Sequence, residues 1–145
     1  MKNERYINTS YSVSVELSKS VTDVFSHLTN LSKWWPEEYI GELIEQGVEF
    51  VLRTGDDHHS KNKVIEFIPD KKLVWLTTES IRKSDSYDWT GTKFIFELTP
   101  ADDATLLTFT YDGVVLENES DRLIQICDIT INDMFYNFIM TGKGK

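Results

Sequence analysis

The chain has 145 residues, 40% hydrophobic and 27% charged, with three prolines, seven glycines and one cysteine. This is an ordinary globular composition at the length of one domain, 1–145, able to bury a core without disulfide staples. A net charge of −9 and a pI of about 4.7 repel phosphate backbones and anionic lipids, which excludes nucleic acid and membrane as partners.

The start, "MKNERYINTS", has no signal-peptide pattern. No apolar run reaches the roughly 18 residues of a membrane span. With Cys127 alone no internal disulfide forms, and a reducing cytoplasm is the expected location. "TSYSVSVELS" alternates, with Tyr11, Val13, Val15 and Leu17 on one side and Ser10, Ser12, Ser14 and Glu16 on the other, which predicts a half-buried strand. Ser20 then opens a helix with Asp23 three residues on, and Val21, Val24, Phe25 and Leu28 share its inner face. Asn30 starts a second short turn carrying Leu31, Trp34 and Trp35, which Pro36 stops.

A strand-rich middle follows. "VEFVLRT" leads to a polar tip "GDDHHS", then "NKVIEFI", the turn "PDKK" and "LVWLTT". The polar connection "ESIRKSDSYD" reaches "GTKFIFELT", and "PADDA" turns into "TLLTFTY". These intervals predict antiparallel hairpins in a meander. Phe94, Phe96, Leu98, Leu107, Phe109 and Tyr111 form the inward sets; Lys93, Glu97, Thr108 and Thr110 point outward. From about Asn118 to Met140, Leu123, Ile124, Cys127, Ile131, Met134, Phe135 and Phe138 fall in one apolar stripe roughly 120° wide. That predicts one long amphipathic helix, ended by Gly142 with Lys143 and Lys145 near its negative end. The expected fold is α+β: a strand, two short helices, about six strands and a long helix around which a curved antiparallel sheet curls.

That order, with "SKWWPEEYIGE", "LVWL" (73–76), "WTGTKFIFELTP" (89–100), "TLLTFTYDGV" (105–114) and the terminal "TGKGK", resembles the START-like helix-grip superfamily. Within it the chain is similar to bacterial homologues of the activator of the heat-shock-protein-ninety ATPase. It departs at Tyr111, where such relatives often carry His. It departs again at the last helix, which holds Cys127 alone and no Trp, so polar roles tied to those positions are not carried over. The resemblance implies a helix-grip fold with a cavity between the concave sheet and the long helix. A chaperone also enters as a partner class on the resemblance alone.

The candidate cavity residues are Trp34, Trp35, Tyr39, Trp75, Tyr87, Trp89, Phe94, Phe96, Tyr111, Phe135 and Phe138. These rings either pack solid or line an opening for a small hydrophobic or amphipathic ligand, with tyrosine hydroxyls as polar handles. Adjacent helical residues point about 100° apart, so one of Trp34 and Trp35 is expected to anchor the short helices and the other to face the cavity mouth. Both as packing anchors is the plainer alternative. Glu37, Glu38, Glu42 and Glu45 read as a solvated acidic face, the place to look for chaperone docking. His58 and His59 read as surface residues at a hairpin tip, with too few partners for a metal site.

Cys127 reads as a small buried hydrophobe without an activating base. No cofactor motif occurs, and no catalytic set is evident. Three classes remain open: a ligand-binding module, a modulator of a chaperone ATPase, or a cyclase- or hydrolase-type enzyme using Tyr111 or Glu66. The oligomeric state is not legible.

Overall fold

The computed structural model describes residues 6–35, 37–41, 44–82, 90–116 and 120–142. Strand β1 (Tyr6–Leu17) leads into α1 (Val21–Leu28) and the short α2 (Leu31–Trp34). Six strands follow: β2 (Glu38–Ile40), β3 (Glu49–Thr54), β4 (His58–Ile68), β5 (Lys72–Arg82), β6 (Lys93–Ala101) and β7 (Ala104–Leu116). The chain then forms one helical rod from α3 (Ser120–Asp128), a π-helical segment (Ile129–Phe135) and α4 (Tyr136–Thr141). The strands make one antiparallel sheet ordered β1-β7-β6-β5-β4-β3-β2. The helices α1 and α2 therefore carry the chain from one sheet edge to the other. This is the helix-grip architecture.

Local chemistry explains most boundaries. Ser20 Oγ accepts the Asp23 backbone N–H at 3.1 Å, the cap expected for α1. Helix α2 stops at Trp34, and Trp35 is already extended (φ −68°, ψ 137°). A residue that precedes proline is pushed out of the helical region in this way. The Trp34 indole N–H donates to the Leu28 carbonyl at 3.0 Å, satisfying an otherwise orphaned group at the end of α1. Gly142 ends α4 in the left-handed conformation (φ 73°), its N–H bonded to the Phe138 carbonyl at 2.8 Å.

The core fills the hollow between the concave face and the rod. Leu123, Cys127, Ile131, Phe135, Phe138 and Ile139 come down from the helix onto Phe94, Phe96, Phe109, Trp34 and Trp75. The stripe differs from expectation along its length: Ile124 is exposed, while Thr130 and Ile139 are buried. The buried positions 123, 127, 131 and 135 recur every four residues, which in an α-helix drifts about 40° per step. The wider π turn takes up that drift and keeps Ile131 and Phe135 on the sheet.

Two further expectations are corrected. The segment 37–45, read above as a solvated acidic face, contains the short strand β2. Strand β4 begins at His58, four residues before the expected strand, so the two histidines belong to a strand. There His58, Ser60, Asn62 and Val64 alternate inward, and His59 points out to solvent. Between Lys61 and Asn62 the β4–β5 register shifts, leaving Thr78 as the extra residue on β5. That bulge turns Ser80 to the same face as Thr77. A second shift between Val64 and Glu66 aims Glu66 outward, where it pairs with Lys72 at 3.2 Å. The expected role of Glu66 as a cavity proton donor is therefore excluded.

Candidate functional site

A pocket of about 260 Å³ opens between the concave face and the first half of the helical rod. Its apolar wall comes from Trp35, Phe94, Phe109 and Tyr111 on the sheet side. Leu123, Ile126 and Cys127 face them from α3. Its polar lining comes from Glu37, Thr54, Asp57 and His58 near the strand ends, with Arg122 and Thr130 from the rod. The volume is just below the range of roughly 300–1,000 Å³ typical of small-molecule sites.

The aromatic candidates divide between this wall and the solid core. Trp35, Phe94 and Tyr111 line the pocket. Trp34 lies deeper, edge-on to Phe135 with ring centroids 4.8 Å apart, and anchors the short helices. Trp75 stacks on Phe94 at 5.4 Å and Phe96 on Phe109 at 4.8 Å, all inside the core. Phe138 meets His27 edge-on, and Tyr39 lies half-buried on Phe50. Tyr87 and Trp89 lie outside the described residues.

The polar lining holds what sequence reasoning missed. His58 is buried and Glu37 mostly so, with 7% and 13% of their side chains exposed. Glu37 Oε2 lies 3.0 Å from His58 Nδ1 and accepts the Thr54 hydroxyl at 2.9 Å. His58 Nε2 lies 3.4 Å from Ser80 Oγ. Burial by itself raises the Glu37 carboxyl. The hydrogen bond and charge of His58, then Thr54 and Trp35, outweigh burial and hold it below its ordinary value. An ionised carboxylate only accepts, so Nδ1 carries a proton and donates to Glu37. Glu37 is thus no part of a solvated acidic face. Glu38, the next residue, points outward and pairs with Arg53 at 2.8 Å. Counting back by twos from the buried Val64 reaches His58, and that parity was the available signal.

Cys127, on the opposite wall, is pushed up to about 12, first by burial and then by the nearby Asp128 charge. It is a thiol and not a thiolate nucleophile. Among the described residues no three His, Cys, Asp or Glu side chains converge as a metal site requires. No helix among them is long and apolar enough to cross a membrane.

The model of the family "Activator of Hsp90 ATPase homolog 1-like protein" matches residues 19–132. The chain belongs to this family. Family membership agrees with solved structures of the same fold. The Aha1 dimer from Colwellia psychrerythraea superposes with a TM-score of 0.74 at 18% identity, over 94% of this chain and 99% of that one. CalU16 from Micromonospora echinospora gives 0.68 at 14% identity, over 96% and 85%. DynU16, a protein in the dynemicin biosynthetic locus, gives 0.73 at 16% identity over 93% of this chain, which spans about half (48%) of DynU16. No curated protein matches the chain. At these identities the likeness establishes the fold of this family member and no more.

Proposed function

We propose that this protein binds a small amphipathic molecule, its apolar body against Trp35, Phe94, Phe109 and Tyr111 and its polar end toward His58 and Glu37. The observation that carries this reading is the 260 Å³ pocket, lined by an apolar wall and by the polar cluster of Glu37, Thr54 and His58. Apolar surface supplies affinity in such a site, and a few fixed polar groups supply orientation. Titration with 2-naphthol, followed by tryptophan emission and amide chemical shifts, tests it. A saturable quench is expected, with shifts concentrated around Trp35, Cys127 and Thr130. Cys127→Phe fills the pocket and should abolish the response while far-ultraviolet circular dichroism stays unchanged. A wild-type protein that shows no saturable response does not bind this class of ligand.

Family membership favours a second reading, modulation of a heat-shock chaperone ATPase. The expected docking face is weakened as support, because Glu37 is mostly covered and Glu38 is paired with Arg53. Addition of the purified chain to a bacterial Hsp90-type chaperone decides it: an unchanged ATPase rate removes this reading.

A further inference from the structure

We infer that the outer edge of β1 is a self-association surface, on which a second copy of this chain pairs its own β1 antiparallel and the two sheets become one. In the strand order β1-β7-β6-β5-β4-β3-β2, β1 and β2 stand at the ends. The two ends are built differently. Strand β2 is three residues long, and its Glu38 is tied to Arg53 at 2.8 Å. A short, charged edge strand offers little to a neighbour. Strand β1 runs for twelve residues in one unbroken register with β7. An edge of that length presents a row of backbone N–H and C=O groups to any chain that can pair with them. Tyr6–Leu17 lacks the features that blunt such an edge: it has no proline, no lysine and no bulge, and Glu16 is its single charge.

The pattern of the strand favours its own copy as the occupant. Ser10, Ser12 and Ser14 are exposed on the convex side, while Ile7, Tyr11, Val13 and Val15 are half-buried against the core on the concave side. A copy related by a twofold axis near Tyr11 or Ser12 keeps every residue on its own face. Serine then meets serine or asparagine, and the half-buried apolar residues gain the cover they lack. Glu16 falls opposite Tyr6 or Asn8 and never opposite its own copy. A chain of net charge −9 repels its copy, and this nearly neutral strip is where two copies approach with least repulsion. Full overlap closes about twelve backbone hydrogen bonds, as many as a standard interface holds. The Tyr11 hydroxyl donates to Asp128 at 3.0 Å and fastens the strand to the rod, so the edge is ordered before a partner arrives. None of the residues lining the pocket belongs to β1, so this association stands apart from ligand binding.

Sedimentation equilibrium over roughly 5–500 µM, the range in which weak complexes assemble, tests it beside amide hydrogen exchange. The wild type should pass from the mass of one chain toward that of two, and alternate β1 amides should exchange several-fold more slowly at the higher concentration. Ser10→Lys with Ser12→Lys sets like charges across the axis and should remove the dimer, although it lessens the net charge that opposes association at any other face. Ser10→Asp with Ser12→Asp should also be monomeric alone, and an equimolar mixture of the two variants should restore the dimer. Should either variant lose its far-ultraviolet circular dichroism, the wild-type mass and exchange pattern decide. A wild type that keeps the mass of one chain throughout overturns the inference and leaves the edge to an extended segment of another protein. A dimer that survives the lysine pair lies on another face and overturns it as well.

Discussion

Glu37 and His58 show how much a single burial changes a residue's chemistry. A carboxylate removed from water is costly unless hydrogen bonds and opposite charge replace the solvent. Here His58, Thr54 and Trp35 replace it, and the carboxyl sits below its ordinary value near 4.5. A carboxyl lowered on folding adds stability that is complete above its unfolded value and disappears as pH falls through its folded value. Acid unfolding of the wild type should therefore steepen below about pH 4.5, and Glu37→Gln should flatten that limb, as urea titrations at stepped pH will read. At neutral pH Glu37→Ala should cost about 1.5–3 kcal/mol, since it strands a buried imidazole donor. Equal acid limbs in wild type and Glu37→Gln would show that the carboxylate is not held this way. None of this was legible from the acidic run itself. Glu37 and Glu38 are identical in type and adjacent, and only the strand that follows sends one inward and the other to Arg53.

Among the elements, the terminal rod departs furthest from a simple periodic pattern. Its apolar residues, read at α-helical spacing, include Ile124 and leave out Thr130 and Ile139, whereas the π segment over Ile129–Phe135 reverses that choice. Deletion of the exposed Asn132 should convert this segment to an α-helix and rotate Phe135 and Phe138 away from the sheet. The expected loss is about 3 kcal/mol or more, the scale of truncating a buried Phe, read as a lower urea midpoint. A deletion variant as stable as wild type would mean that the wide turn carries no register. The bulge at Lys61/Asn62 works in the same way on the sheet: it brings Ser80 to the face that His58 occupies. Strand alternation locates the inward set of β6 and β7 from sequence. It fails on β5 at Thr78 and on β4 beyond Val64, where one extra residue reverses parity.

Across the whole molecule, the net charge of −9 acts against compaction through self-repulsion, and salt screens it over about 10 Å at 0.1 M. Raising sodium chloride from roughly 10 to 200 mM should therefore raise Tm by a few degrees, as differential scanning calorimetry will report. A falling Tm would mean that specific ion pairs outweigh the overall repulsion. The Arg53–Glu38 and Lys61–Glu79 pairs are exposed, and such pairs contribute little. Stability lies in the aromatic core, where Trp34, Trp75, Phe96, Phe109 and Phe135 are fully buried. The pocket survives beside this core because the rod covers the deep end of the hollow with Phe135 and Phe138. Its first turns present Arg122, Leu123, Ile126 and Cys127 to the pocket.

Local pattern alone determined the strand–helix–strand order, the caps at Ser20 and Gly142, the break before Pro36 and the amphipathic character of the last helix. Each of these depends on interactions within a few residues of the chain. The division of aromatics between filled core and pocket wall, and the pairing of Glu37 with His58, were decided by tertiary structure only. Those contacts join residues far apart in sequence, through a curved sheet whose bulges change which side a strand residue faces. A one-residue change of register moves a side chain from solvent to the interior, and no local pattern encodes where the partner strand places it.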